Sequence, residues 1–260
     1  MYRRRGAVMI EPLLPLTATR TRAWVCALLF VAAQSACARQ GPNMSHDPST
    51  DPGTAALARA AHSGDLADAK RLIADGANPD ATDADGTPLL QATILRGDRR
   101  GFETLLEAGA DPAAAAANGN TALHVAAMQD DPTFLKALLA RGLSPDTPNA
   151  RNDESPLFNA LEARNNDAIR TLLAAGAKID ATDRYGATLL HKAARINATG
   201  WVVRFLEAGA DPTARDRVGA TFQPSFFRAR DAVLTPQARS DREKVRAWLV
   251  ERRIPVEDKH

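Results

Sequence analysis

A chain of 260 residues is long enough for one or two domains with a sizeable core. Its composition, 45% hydrophobic and 25% charged, is ordinary for a soluble globular protein, and a formal net charge of +2 gives no electrostatic footprint for nucleic acid. Only 5% of the residues are aromatic while alanine is frequent, and this combination favours closely packed helices.

An apolar run near the amino terminus predicts an export signal. A basic pair, Arg20 and Arg22, precedes the apolar residues 23–33, a run well short of the roughly 20 residues that span a bilayer as a helix. Small residues follow at 35–38. We therefore predict that residues 1–38 are a signal peptide and that the protein is exported to the bacterial periplasm.

The end of this signal fits two kinds of processing. Residues 36–38 match the A-x-A pattern of cleavage sites, with a soluble product that starts at Arg39. Residues 34–37 resemble a bacterial lipobox, in which Cys37 would be lipidated and would anchor the protein to the envelope membrane; Gln34 departs from the aliphatic residue usual there. The other cysteine lies in the apolar run, so no disulfide is expected in the mature protein.

A polar segment separates the signal from the rest of the chain. Residues 39–53 are rich in proline, serine, aspartate and glycine, and they predict a flexible linker because they offer too little apolar surface to fold. Upstream, the start of translation is left open between Met1 and Met9.

Two markers recur along the remaining chain. A glycine followed mostly by alanine recurs at Gly76, Gly109, Gly142, Gly176 and Gly209. A threonine or serine that precedes an apolar stretch recurs at Thr87, Thr121, Ser155, Thr188 and, more weakly, Thr221. The glycines are spaced 33, 33, 34 and 33 residues apart, and the second marker keeps the same phase. Two markers in one phase indicate an internal repeat.

These residues resemble the ankyrin repeat family, whose pattern is close to G-x-T-P-L-H-x-A-A. The segment Gly119–Ala127, followed by Leu138-Leu139 and Gly142, matches it nearly throughout. The resemblance implies an all-α solenoid of about six helix-turn-helix copies with hairpin-like loops, each copy burying its apolar face against its neighbours. We place this domain at residues 54–256, with copies at about 54–83, 84–117, 118–151, 152–184, 185–217 and a degenerate capping copy at 218–256.

Two copies depart from the pattern. In copy two the spacing from Thr87 to Gly109 predicts one extra residue at the turn between the two helices, near residues 96–101. In copy six, Phe226 and Phe227 stand at the usual alanine positions, and residues 228–240 form an insertion before a rebuilt second helix.

No catalytic or metal-binding motif stands out in the sequence. His124 and His191 stand at the T-x-L-H position, and the resemblance gives them a structural role, hydrogen bonding to the backbone of an adjacent loop. We therefore expect no enzymatic activity, no cofactor and no metal.

The resemblance implies a protein partner, bound by the exposed loop tips and the first helices of a monomer. The predicted partner contacts are Asp85, Asn118, Arg151, Asn152, Arg184, Tyr185, Arg217 and, beside the insertion, Phe226 and Phe227. Three kinds of binding protein remain open: an immunity protein that neutralises a secreted toxin or hydrolase, an accessory protein that supports a periplasmic enzyme, and an envelope scaffold.

Overall fold

The computed structural model describes residues 51–83 and 85–257, so the predicted signal peptide, Cys37 and most of the predicted linker lie outside the described residues. Within these two ranges the chain forms twelve α-helices and one short 3-10 helix. The extended structure found there is limited to two isolated β-bridges, Thr82 to Pro88 and Thr182 to Thr188. The all-α prediction is thus confirmed. None of the helices in this part of the chain is long and apolar enough to cross a membrane.

The helices follow one another in pairs, one pair to each copy. The pairs are α1 (Pro52–Ser63) and α2 (Leu66–Ala74), α3 (Leu89–Leu95) and α4 (Arg99–Ala108), α5 (Ala122–Met128) and α6 (Pro132–Ala140), α7 (Pro156–Glu162) and α8 (Asn166–Ala174), α9 (Leu189–Arg195) and α10 (Thr199–Glu207), and α11 (Gln223–Phe226) and α12 (Pro236–Glu251). First helices pack on neighbouring first helices, as α5 does on α7, and second helices on neighbouring second helices, as α10 does on α12, while α1 also packs on the second helix α4 of the next copy. The copies therefore form a stack.

The first helix begins inside the segment predicted as linker. The Asp51 carboxylate accepts a hydrogen bond from the Thr54 N–H at 3.0 Å, and Pro52 occupies the first helical position, where no N–H is needed. This Asp-Pro start is a helix signal that composition alone hides, because proline and aspartate are also common in linkers.

An Asx side chain caps most of the second helices. The carboxylates of Asp65, Asp98 and Asp131 each accept from a backbone N–H of the following turn, and Asn165 does the same in copy four. Ala198 at the start of α10 has no capping side chain. Polar residues between the helices therefore fix where most of the second helices begin.

Two histidines fasten the first helices to the copy that follows. His124 Nδ1 accepts from the Thr121 N–H at 3.2 Å, so Nε2 carries the proton and donates to the Glu154 carbonyl at 3.0 Å. His191 repeats this arrangement with the Ala220 carbonyl of the next copy. The structural role predicted for both histidines is confirmed. In copy two Gln91 stands at this position, and its Nε2 donates to the Ala114 carbonyl and to the Asn120 carbonyl of the next copy, at 2.9 Å each.

The extra residue predicted at the turn of copy two is wrong. Helices α3 and α4 begin ten residues apart, at 89 and 99, as α9 and α10 do at 189 and 199. The bridge from Thr82 to Pro88 matches the bridge from Thr182 to Thr188, so Pro88 rather than Thr87 stands at the cap position. Thr87 follows Gly86 directly, whereas Thr121 lies two residues after Gly119. This shift of the marker threonine by one residue lengthens its spacing to Gly109 and suggested an insertion that is not there.

The additional residue lies instead in the loop between copies three and four. Asn149 and Ser155 are six positions apart, whereas the equivalent Asp183 and Thr188 are five apart. The Asp153 N–H closes this longer loop on the Asn149 carbonyl at 3.0 Å, and Asp153 has a φ of 62° where the neighbouring loops have glycine. The 34-residue spacing between Gly142 and Gly176 is the sequence signal for it.

The core runs through the whole stack, from Leu57 in copy one to Leu249 in copy six. Small alanines at 126 and 127 are fully buried in α5, so the neighbouring first helices approach closely. Between the second helices, Phe102 and Phe134 meet edge to face with ring centroids 5.1 Å apart. Each copy thus completes its core with side chains from the next.

The insertion in the capping copy lengthens its second helix. Helix α12 has 16 residues against nine in α10, and its first turns are built from the end of the predicted insertion, residues 228–240. Buried Asp241 accepts from the Thr199 hydroxyl at 2.8 Å and from Gln237 Nε2 at 2.8 Å. The extension thereby bonds to the start of α10, the second helix without a capping side chain.

Candidate partner-binding surface

The loop tips between copies are joined into a ladder by backbone hydrogen bonds. Four of these bonds are Ala117 N–H to Gly86 O at 2.9 Å, Ala150 N–H to Gly119 O at 3.0 Å, Arg184 N–H to Asn152 O at 2.8 Å and Arg217 N–H to Tyr185 O at 2.8 Å. Each tip is therefore held at a fixed position relative to the next.

An aspartate inside each of several tips holds the tip's own backbone. Asp183 Oδ1 accepts from the N–H groups of Tyr185 and Ala187, both at 2.8 Å, and Asp216 Oδ1 does the same for Val218 and Ala220. Such Asx turns use the carboxylate internally and leave the next two side chains outside. Asp183 and Asp216 thus hold the backbone of their own loops, and the side chains of Tyr185 and Val218 remain exposed.

Six of the predicted contacts fall on this ladder as exposed side chains. We call the following set the tip row: Asp85, Asn118, Arg151, Arg184, Tyr185, Arg217 and, in addition, Val218. Tyr185 is 60% exposed and Val218 is 86% exposed. Val218 is not among the predicted contacts, because a lone aliphatic residue in a loop carries no signal of exposure.

Asn152, also predicted as a contact, serves the loop itself. It is half-buried, its Nδ2 donates to Glu154 Oε2 at 3.0 Å, and its Oδ1 accepts from the Glu154 N–H at 3.1 Å. Its carbonyl receives the Arg184 N–H of the ladder. The polar atoms of the Asn152 side chain and its carbonyl are therefore used in hydrogen bonds within and between the tip loops.

Phe226 and Phe227 do not belong to the exposed surface. Each is 4% exposed, and their rings meet edge to face with centroids 5.1 Å apart. Buried Arg242 donates to the Phe226 carbonyl at 3.3 Å and lies over the Phe227 ring. We correct their role to packing in the capping copy: the long α12 covers them, and the sequence did not show that the insertion would become helix.

The first helices contribute a second line of side chains. The residue seven positions after each cap is exposed or half-buried; we call this set the helix row: Leu95, Met128, Glu162, Arg195 and Arg228. The first helices are expected from the sequence to take part in binding, but none of these residues is among the predicted contacts. Their shared offset of seven residues from the cap position, which is Pro88 in copy two and a Thr or Ser in the other copies, is the signal that would have found them.

Lys192 shows that the tip loops and the helix row face the same side. Its Nζ donates to Glu154 Oε1 in the copy-four tip at 3.1 Å and to Glu162 Oε2 in the helix row at 2.8 Å. Burial works to lower the pKa of Lys192, but the hydrogen bonds and charges of Glu162 and Glu154 outweigh it and raise that pKa above its ordinary value. The two rows thus form one continuous surface, which we call the front face.

Three buried polar atoms within the described ranges have no hydrogen-bond partner: Gln91 Oε1, Ser155 Oγ and Asn159 Oδ1. Asn159 stands in copy four at the position that Lys192 occupies in copy five, four residues after the cap.

Across residues 51–83 and 85–257, the His, Cys, Asp and Glu side chains form no group of three or more arranged to hold a metal ion.

Comparison with known proteins agrees with this architecture. Among solved structures, the chain is similar to the ankyrin repeat domain of Bcl-3, a unique member of the IkappaB protein family, with 22% identity, a TM-score of 0.53, and coverage of 74% of this chain and 97% of that chain. At that identity the likeness shows the fold. A family model of ankyrin repeats, three copies long, matches residues 57–149 and again 123–216, together more than half of the chain. The chain therefore belongs to the ankyrin repeat family.

Proposed function

We propose that this protein is a non-enzymatic module that binds a partner protein on its front face. Ankyrin repeats are in general protein–protein interaction modules, while a fold by itself names no partner. The observation that carries the proposal is the exposure of Tyr185 and Val218 on a ladder of tips fixed by backbone hydrogen bonds.

The exposed apolar side chains of the tips would gain free energy by being buried against a partner. Tyr185 and Val218 contribute nothing to the protein's own core, and burying apolar surface against a partner is favourable by about 25 cal/mol per Å² before association costs. Tyrosine and arginine are also the side chains enriched at interface hot spots. Because the tips are already fixed, little loop entropy is lost on binding.

We also propose that the partner is met outside the cytoplasm. The support is the basic and apolar segment within residues 1–38. A fusion of residues 1–39 to a reporter that is active only outside the cytoplasm tests export, and labelling with a fatty-acid analogue tests anchoring at Cys37. An inactive reporter would contradict export, and an active but unlabelled fusion that matches its Cys37→Ser control would contradict anchoring.

Site-specific crosslinking tests the binding surface. A photoreactive amino acid at position 185 of the exported full chain should form a crosslink to one major protein in envelope extracts. The matched control is the same group at position 136, an exposed lysine on α6 of the same stack. Crosslinks of equal yield at both positions, or none at position 185, would contradict a front-face interaction.

The identity of the crosslinked protein decides between two narrower functions. A secreted hydrolase whose toxicity is relieved by co-expression of this chain would identify an immunity protein. A periplasmic enzyme whose activity falls when this chain is deleted would identify an accessory protein.

A further inference from the structure

The front face carries arginines that form no ion pair with the described residues. Within the described residues, the guanidinium groups of five arginines on this face make no hydrogen bond or ion pair: Arg151, Arg184, Arg195, Arg217 and Arg228. Four arginines on or next to second helices are paired with acids: Arg71, Arg99, Arg141 and Arg170. Three of the five, Arg151, Arg184 and Arg217, stand in three successive tips.

Four acids near these arginines have hydrogen-bond or ion-pair partners of their own. Asp183 and Asp216 accept hydrogen bonds from the backbone of their own tips. Glu154 and Glu162 are held by Lys192. Within the described residues these carboxylates form no ion pair with Arg151, Arg184 or Arg217, so the tip arginines are open to a negative group of another molecule.

The ladder sets the spacing of the arginines. A peptide step of about 3.8 Å leads from Arg184 to Tyr185, and a hydrogen-bonded step of about 5.5 Å leads on to Arg217, so the two arginine Cα atoms are at most about 9 Å apart. A polyproline II segment repeats its side-chain direction every three residues, or about 9 Å. One acid in three along such a segment therefore matches one arginine per tip.

The apolar tip residues favour a polypeptide over a nucleic acid. Val218 is 86% exposed directly beside Arg217, and Tyr185 is exposed directly beside Arg184. An aliphatic side chain gains nothing from a phosphate backbone, but it gains apolar contact from residues that lie between the acids of a peptide. The alternation of cation and apolar group along the tips thus matches an alternation of acid and apolar residue in a partner.

We propose that the partner presents an extended acidic segment, with an acid at about every third residue and apolar residues between, which lies along the tips of copies four to six. Its carboxylates pair with Arg184 and Arg217, and its apolar side chains cover Tyr185 and Val218. The proposal rests on the proposed binding function and gives the chemistry of the partner.

Fluorescence anisotropy with a synthetic peptide tests this segment. The probe is a labelled peptide in which Glu-Pro-Leu is repeated three times, titrated with the full exported chain. We expect saturable binding that weakens as salt rises, and a loss of affinity of about tenfold or more in the double variant Arg184→Gln, Arg217→Gln. The control variant Arg71→Gln, Arg170→Gln removes the same charge from ion-paired positions and should bind like the wild type.

Two further probes test whether binding reflects only a general attraction between opposite charges. A peptide of the same composition with its glutamates contiguous should bind several-fold more weakly; equal binding would overturn the spacing. A single-stranded oligonucleotide should bind more weakly than the spaced peptide; tighter binding that is lost in the same tip variant would overturn the choice of a polypeptide. Equal affinity of the tip and control variants for the spaced peptide would overturn the whole inference.

The crosslink at position 185 separates this inference from the proposed function. If a protein crosslinks there and its yield is unchanged by Arg184→Gln with Arg217→Gln, front-face binding stands and the acidic segment is refuted. If nothing crosslinks at position 185, the proposed function itself fails.

Discussion

Lys192 on the first helix of copy five pairs with Glu154 in the tip of copy four, with Nζ 3.1 Å from Oε1 and both side chains only 12% exposed. This ion pair ties a tip to the neighbouring helix and therefore links the binding surface to the stability of the stack. Lys192 also reaches Glu162, so its loss leaves two carboxylates without their cation.

Replacing Lys192 with methionine should lower the free energy of unfolding by about 2–3 kcal/mol, because Glu154 would stay largely buried without a cation, with the Asn152 amide as its remaining side-chain partner. Urea unfolding followed by circular dichroism measures the change. Arg170→Met is the matched control: its pair with Asp167 is exposed, and its loss should cost less than about 0.5 kcal/mol. Equal losses in both variants would show that the buried pair adds no stability.

The same pair predicts how stability depends on pH at the alkaline end. The pKa of Lys192 is raised in the folded protein above its ordinary 10.5. The folded state therefore holds this proton more tightly, and the stabilisation is complete below pH 10.5 and is lost as the pH rises through the folded value. The stability difference between wild type and Lys192→Met should be constant up to about pH 9.5 and shrink above it. A stability difference between the two proteins that grows as the pH rises would contradict the raised pKa of Lys192.

His124 predicts the opposite dependence at the acid end. Burial lowers its pKa below 6.5, against the raising effect of its hydrogen bond to the Glu154 carbonyl. The unfolded state binds the proton more readily, so the stabilisation is complete above about pH 6.5 and declines as the pH falls towards the folded value. His124→Gln copies the side chain that copy two uses at this position, Gln91. It should keep most of the stability at pH 7.5 and lose less of it than the wild type between pH 7 and 5.

Gly119 and Gly142 have the same φ of 85°, so replacing either with alanine causes the same kind of backbone strain. A difference between the two variants therefore measures steric crowding at the tip that contains Gly119. A Cβ at Gly142 would meet nothing within 4 Å, whereas one at Gly119 would clash with the Asn149 side chain and lie 2.9 Å from the Arg151 nitrogen. Gly119→Ala should therefore cost about 1–3 kcal/mol more than Gly142→Ala. Equal thermal denaturation midpoints for the two variants would mean that the tip ladder tolerates displacement.

Truncation of the core tests the stacking of the copies. Leu138 is fully buried in α6, and Leu138→Ala should lower the free energy of unfolding by about 2–5 kcal/mol. Leu95, 54% exposed on the helix row, serves as the matched control, and Leu95→Ala should change it by less than about 0.5 kcal/mol. Similar effects of both truncations in urea unfolding would contradict the described packing.

Most of the fold was predictable because each copy repeats the same local physics. The hydrogen bond from the Thr121 N–H to His124 Nδ1 and the glycine after the second helix act within one copy, and these residues appear in the sequence at fixed spacing. The shifted cap at Pro88 was missed because register depends on a bridge to Thr82, which no residue type marks.

The candidate surface was predictable only in part. Tips were recognisable from their turn residues, so Arg184 and Tyr185 were placed correctly on an exposed loop. The burial of Phe226 and Phe227 depends on the long α12, and the role of Lys192 depends on two acids 30 and 38 residues away. Such contacts between copies are set by tertiary packing and leave no local pattern.

The most direct measurement of the central claim is amide hydrogen exchange of the full chain with and without its crosslink-identified partner. Binding on the front face predicts slower exchange at the tips, residues 149–155, 183–187 and 216–220, and at the ends of α7 and α9. Slower exchange confined to the second helices α6, α8 and α10, with the tips unchanged, would contradict it.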